Sequence, residues 1–319
     1  MPRATVIIVN HNAGALLARC VAALAAQTCA EFEAVIVDNA STDGSLDGLP
    51  TDGRFRVIEA GENLGFAAAN NLGAKGSTAD WIVTLNPDAF AEVHWLERLL
   101  RAAQRHPRVA MLGSTQIMAD DPARFDGAGD EYSAFGIAYR ARYGHPLQTL
   151  TEDYPVFGPC AAAAAYRRDA WERAGGFDER FFCYHEDVDL ALRLRRMGHR
   201  AVQVHDARVH HVGSALTGEA SPFAVYHGTR NRVWTWAKSM PAGLAIGLLP
   251  LALAANLAYL LWSVARPGRF RPTARGLWHG ARGVPAMVRS RPRSGPGTVR
   301  GMLVWSPAAV LRRANKARR

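Results

Sequence analysis

The chain reads as an α/β protein built on a mostly parallel sheet flanked by helices. Three observations carry that reading. Short β-branched runs alternate with segments whose apolar residues recur at helical spacing, which puts helices on both faces of a parallel sheet. Asn10, Asp38 and the turn from Asn86 to Asp88 stand just past predicted strand ends, where such sheets bind ligands. Beyond residue 238 the composition changes to an uncharged run and then a basic tail.

In order, 5–9 is a β-branched run and a buried strand. Segment 16–27 carries Leu17, Val21, Leu24 and Ala25 on one helical face. Residues 33–37 form a second strand ending in Asp38-Asn39, and 55–59 a third. Residues 67–73 are helical. Residues 81–85 are a fourth strand ending in Asn86-Pro87-Asp88, and 95–106 are another helix. Segment 115–157 is richer in Gly, Asp and Tyr and is expected as loops and short strands. Residues 161–174 and 188–198 are predicted helices. A short strand at 201–204 follows, then His205, His210 and His211.

The 319 residues are 49% apolar and 21% charged, a globular composition. The net charge of +10 is unevenly placed. Residues 266–319 hold 14 Lys and Arg and no acid, whereas 1–265 hold 24 basic and 28 acidic residues, a net of −4. The basicity therefore belongs to a tail suited to an anionic surface. An acidic globular part without aromatic-basic interleaving argues against nucleic acid. Cys20, Cys29, Cys160 and Cys183 form no CxxC pair and read as reduced thiols of a cytoplasmic chain. The apolar run from Val6 leads directly into strand pattern, so no signal peptide is expected.

Several residues have chemistry to offer. Asp38, followed by Asn39, Ser41, Thr42, Asp43 and Gly44, can accept hydrogen bonds from a base or ribose, and the same loop can simply cap the next helix. Pro87 stiffens the turn holding Asp88, and one rigid carboxylate plus ligand phosphate oxygens suits Mg²⁺; a plain turn is the alternative. Asn63-Leu64-Gly65, with Asn70 and Asn71, is a third polar cluster in which Gly65 permits close backbone approach, unless Asn63 only caps a helix. No G-x-G-x-x-G follows the first strand and no P-loop is present. Glu186 and Asp187 precede the predicted helix at 188–198 beside Phe181, Phe182 and Tyr184. That apolar wall would raise a carboxylate toward a useful base, although acids also favour helix starts through the dipole, the role expected of Asp189. His210 and His211 are both candidate metal ligands if one faces Asp88.

The segments VIIVNHN, VDNASTDGS, NLGFAAANN, LNPDA, the stretch 175–195 and HHVGS occur in one order over about 210 residues. Together they resemble the inverting family 2 glycosyltransferases with a GT-A fold, in particular the bacterial rhamnosyltransferase-like branch. The resemblance implies a nucleotide-diphosphate sugar donor, with Asn10, Asp38, Asn39, Asn63, Gly65, Asn70 and Asn86 on the donor side. It implies Asp88 and His211 as ligands of Mg²⁺ or Mn²⁺, Asp187 as general base and Glu186 as its neighbour. This chain has Asn-Pro-Asp where many relatives have Asp-x-Asp, so one metal carboxylate replaces two. The expected division is 1–225 as the transferase domain, with a donor half at 1–115 and an acceptor half at 116–225, followed by an apolar and basic extension at 226–319.

Residues 242–265 are long enough to span a bilayer. A single span would separate the basic tail from a cytoplasmic donor site. An interfacial or re-entrant element around Pro250, with the tail on anionic lipid at the inner face of the cell membrane, is therefore expected. Membrane docking suits a glycan or polyprenyl-linked acceptor in cell-surface polysaccharide synthesis. A non-catalytic nucleotide-sugar-binding protein of the same fold is the alternative; intact Asp88 and Asp187 favour the enzyme.

Overall fold

A computed structural model of the chain describes residues 2–49, 52–213, 221–293, 295 and 299–308. Ser214 of the HHVGS segment and the last stretch of the basic tail, 309–319, lie outside the described residues.

The amino-terminal half alternates as its sequence pattern requires. β1 (Ala4–Asn10), α1 (Ala15–Ala25), β2 (Phe32–Asp38), β3 (Phe55–Glu59), α2 (Gly65–Ala74), β4 (Trp81–Leu85), β5 (Ala89–Ala91) and α3 (Trp95–Arg105) follow one another. β1 pairs in parallel with β2 on one side and β4 on the other, and β3 extends the run beyond β2. All seven residues of β1 are buried. Alternate side chains serve two cores: Val6 and Ile8 pack with Leu17 and Val21 of α1, and Ile7 and Val9 with Ala67 and Ala69 of α2. This two-sided burial fixes the strand ends, and with them Asn10, Asp38 and Asn86.

The second half completes the sheet. β6 (Val109–Met118), β7 (Phe125–Gly127), β8 (Asp130–Ser133), β9 (Ala138–Arg140) and β10 (Tyr154–Val156) match the expected short strands, except that β6 is long and runs through 115–118. β11 (Ala163–Arg167) lies antiparallel between β4 and β6, followed by α4 (Arg168–Ala174). The expected helix at 161–174 is thus half strand. Alanine favours helix in isolation, but here five residues pair with β4 and three of them also with β6, and packing overrides propensity.

α5 (Glu186–Arg196) begins at Glu186 rather than 188, so Glu186 and Asp187 occupy its first turn. β12 (Arg200–His211) is three times the expected length and pairs with β6, β5 and β10. A register shift between Val204 and Arg208 lets it continue, and His205, His210 and His211 therefore lie on the strand instead of after it.

α6 (Pro222–Ser239) runs across the expected boundary at 225/226, packing on the preceding part of the chain through α5 and on the extension through α9 (Phe270–Arg289). Between them, α7 (Ala242–Gly247) and α8 (Leu249–Val264) break at Leu248, next to Pro250 at the start of α8. Among the described residues no helix is long and apolar enough to cross a membrane. The first part of the basic tail is an ordered 20-residue helix on α6. All four cysteines are free.

Candidate active site

The carboxyl ends of β1, β2 and β4 form the floor. The Asn10 amide donates to Asp38 Oδ1 at 2.8 Å and lies 2.9 and 2.8 Å from the hydroxyls of Ser41 and Ser45. Asp38 Oδ2 accepts the Ser41 N–H at 3.0 Å. Asn10 Oδ1 and Asn39 Oδ1 are buried without a hydrogen-bond partner. Such orphaned acceptors mark where a ligand donor belongs.

Asn63 Oδ1 accepts the Gly65 N–H at 3.0 Å, and the Gly65 carbonyl accepts the Asn39 amide at 3.3 Å. Gly65 has φ +78, and an added Cβ would lie 2.5 Å from the Phe182 ring, so only glycine fits. Asn70 lies inside α2, its amide bonded to the Phe66 carbonyl at 2.8 Å, and its Oδ1 is likewise buried without a partner among the described residues. Asn71 instead braces the backbone at Phe177, donating to its carbonyl at 2.8 Å and accepting its N–H at 2.9 Å.

At the end of β4 the Asn86 N–H donates to the Ala162 carbonyl at 2.8 Å, and the Val212 N–H donates to the Asp88 carbonyl at 3.0 Å. The second bond sets β12 beside the turn. Strand alternation then separates the two histidines. His211 Nε2 lies 3.3 Å from Asp88 Oδ1, whereas His210 lies 3.7 Å from Glu92. His211 is buried, and its Nδ1 is 2.7 Å from Asp126 Oδ2. Burial alone would lower its pKa, but the hydrogen bonds to Asp126 and Asp88 carry it to about 9. Asp126 is in turn held by Arg140.

The donor set fits a divalent cation. Adjacent ligands of an octahedral Mg²⁺ or similar ion stand about 3 Å apart, close to the Asp88–His211 separation. A carboxylate on the far ring nitrogen is the usual device for orienting a metal-binding imidazole. Sequence reasoning missed Asp126, because only the pairing of β7 with β6 brings it to β12.

At the start of α5 three carboxyls crowd together. Ligating atoms of Asp130, Cys160 and Asp187 lie within 4.8 Å of one another. Burial raises the pKa of Asp187, opposed by the N–H groups of Ala161 and Val188, which donate to its two oxygens at 3.1 and 2.8 Å, and by Arg140. Glu186 and Asp130 are pushed well above the ordinary range, first by burial and then by the charge on Asp187. Glu186 Oε2 has no partner. Like charges this close do not all ionise. Asp187, with two backbone donors, is raised least of the three and is the one best suited to carry the charge. Ala161 and Ala162 join the two ends of the site: one bonds Asp187, the other Asn86.

The loop before α5 is strained. Phe182, Tyr184 and His185 all have positive φ, near +65 to +69. Asn231 of α6, fully buried, donates to the carbonyls of Phe181, Cys183 and Tyr184 at 2.9, 2.8 and 2.7 Å. Asn231 was not legible in the sequence, since nothing local pairs it with residue 181. Asp189 does more than cap the helix dipole. It is completely buried and bonds Arg193 and Lys238, each at 2.8 Å, and Ser239. A cavity of about 640 Å³ between α2 and α4 is lined by none of these catalytic candidates.

Comparison with known proteins agrees with this architecture. Residues 5–175 match the family described as glycosyl transferase family 2. The N-acetylglucosaminyl-diphospho-decaprenol L-rhamnosyltransferase of Mycobacterium tuberculosis is 32% identical, over 70% of this chain and 80% of that protein. A Pyrobaculum calidifontis mannosyltransferase solved with GDP-Man and Mn²⁺ superposes with a TM-score of 0.53 at 21% identity, covering 91% of this chain and 87% of that one. GalNAc-T7, solved with UDP, GalNAc and Mn²⁺, superposes with a TM-score of 0.61 at 19% identity, covering 74% of this chain and 47% of that longer one. The parallel sheet with its ligand-facing strand ends is the GT-A fold, and the chain belongs to glycosyl transferase family 2.

Proposed function

We propose that this enzyme transfers a sugar, with rhamnose the leading candidate, from a nucleotide-diphosphate donor to a hydroxyl of a glycan or polyprenyl-linked acceptor, with inversion. The observation that carries the reading is Asp187: a half-buried carboxylate of raised pKa, held by two backbone N–H groups and linked through Ala161 and Ala162 to the Asn86–Asp88 turn. The rhamnose and polyprenyl assignments are supported by the name of the mycobacterial relative.

The chain's own groups divide the work. Asn10, Asp38 and Asn39, with Asn63 and Gly65 behind them, receive the nucleoside, and Asn86 lies toward the diphosphate. Asp187 accepts the proton of the acceptor hydroxyl as its oxygen bonds the anomeric carbon. The bond from that carbon to the diphosphate breaks on the opposite side, so the anomeric configuration inverts. Glu186, neutral and buried, sits beside the base without competing for the proton. Mg²⁺ or Mn²⁺ held by Asp88 and His211 would offset the charge of the departing diphosphate. The exposed apolar row of α8 and the basic helix after it support work at the inner face of the cell membrane.

The test is Asp187→Asn, assayed for transfer and for nucleotide binding. Transfer is expected to fall about 100- to 10,000-fold, the contribution of a positioned base, with nucleotide affinity within about threefold of the wild type, a difference below 1 kcal/mol. Equal turnover in the variant would remove Asp187 from the mechanism.

A further inference from the structure

A cavity of about 320 Å³ lies between α6, α8 and the strained loop, lined by Tyr184, His185, Gly228, Arg232, Tyr259 and Arg269 among others. Its inner wall is the residue that caps α5, one position before Glu186. Two guanidinium groups reach it. Arg232 bonds only the neutral Asn256 side chain, at 2.7 and 3.1 Å, and lies over the Tyr259 ring. Arg269 lies over the Trp262 ring. Among the described residues neither has a carboxylate partner, and the sequence has no Asp or Glu after Glu219. Lys238, also buried, is by contrast paired with Asp178 and Asp189. Two cations without counter-ions in a concave site, beside the positive end of a helix, form an anion receptor. Burial holds the Arg232 pKa below its ordinary value, a cost that a bound anion would relieve.

The outer wall specifies what carries the anion. Tyr259 belongs to α8, whose Leu253, Leu257 and Leu261 are 60%, 57% and 63% exposed. Arg269 is followed directly by Phe270, 46% exposed. An anion seated here therefore has apolar surface next to it, and His185 in the cavity wall stands two residues before Asp187.

We propose that this cavity binds the phosphoryl head of an acceptor borne on an apolar chain, a prenyl diphosphate, with Arg232 and Arg269 on the phosphoryl oxygens and the attached sugar directed toward Asp187. The proposal rests on the transfer reading above and adds the acceptor's seat.

Farnesyl diphosphate titrated into the full-length protein by calorimetry tests it. It is expected to bind, with farnesol at least tenfold weaker. Arg232→Gln and Arg269→Gln are each expected to weaken binding about tenfold, the value of one charge-assisted hydrogen bond. Gly228→Leu guards against variants that merely unfold. An added Cβ at Gly228 meets nothing within 4 Å, and leucine is a better helix former than glycine. It should fill the cavity, abolish binding and leave the melting temperature unlowered. Farnesyl diphosphate that fails to bind, or that binds all three variants as it binds the wild type, would overturn the proposal. So would its displacement by phosphatidylglycerol vesicles, which would assign the cavity to bilayer headgroups. Titrating dTDP and UDP into the wild type reports separately on the donor reading: no nucleotide binding would sink that reading while the farnesyl diphosphate result still decides whether the cavity is a prenyl diphosphate site.

Discussion

Asp187 and its neighbours show how three carboxyls of one type take different roles. Glu186 has an oxygen with no partner, Asp130 is buried on β8, and only Asp187 collects two backbone N–H groups. Burial raises all three, and at Asp187 alone two backbone N–H groups oppose that rise. The pH dependence follows with a definite sign. Asp187 works as the anion, so kcat/KM should fall about tenfold per unit on the acid side. The midpoint should lie above the ordinary aspartate value of about 3.9, because the folded protein raises this group. A profile that stays flat down to pH 4 would contradict the assignment. Of these residues, Asp38, Asp88 and Asp187 were legible as polar residues at strand or helix boundaries. The residue pattern alone left His210 and His211 both open and only the resemblance singled out His211, because the choice depends on which side of β12 faces the Asn86–Asp88 turn. Asp126 was hidden for the same reason, standing 85 positions before His211.

The elements that hold the site are tied by buried charge as well as by apolar packing. α5 and α6 meet through Asp189, Arg193, Lys238 and Ser239, and Lys238 also reaches Asp178 in the preceding loop at 2.9 Å. The sequence marked Asp189 as a helix-start residue, which is correct for its position and incomplete for its role. Its partners on α6 lie about 50 residues away, beyond the reach of any local pattern. The alanine run at 161–165 failed in the opposite way, since its local preference was clear and the sheet took its second half into β11. Asp189→Asn should destabilise the protein by about 3–5 kcal/mol, because it leaves buried Arg193 without its carboxylate and Lys238 with Asp178 alone. Burial opposes the Asp189 charge, yet Arg193 and Lys238 outweigh it and depress the folded pKa. A depressed folded pKa gives stability that is present above the unfolded value of about 3.9 and lost as pH falls through the folded one. Urea midpoints of wild type and variant should therefore converge as the pH drops below about 4. A constant gap from pH 7 to pH 3 would show that packing, not charge, supplies the link.

At the scale of the whole molecule the chain is polarised. Residues 220–319 hold 17 Lys and Arg and no acid, and the apolar surface lies in the same region. Ile246 of α7 and Leu253, Leu257, Leu261 and Val264 of α8 are 57–72% exposed. Within α8 they recur every three or four residues, which makes them one face. The helix has 16 residues, about 24 Å at 1.5 Å each, short of a hydrocarbon core of about 30 Å. A row of this kind beside arginines suits an interfacial helix, with leucines in the acyl boundary and guanidinium groups at anionic headgroups. Each buried leucine is worth about 1.5–3 kcal/mol, so replacing two by aspartate should reduce binding at least tenfold. Leu257→Asp/Leu261→Asp is therefore expected to lose sedimentation with phosphatidylglycerol vesicles. Both residues are exposed, so the melting temperature in solution should hold. Wild-type binding should weaken as salt is raised, since screening acts on the arginine contribution, and a remnant should persist at high salt because the leucines are not screened. Equal sedimentation of variant and wild type would locate the membrane contact elsewhere. Binding that vanished entirely in salt would reduce the contact to charge alone and leave the leucine row unexplained.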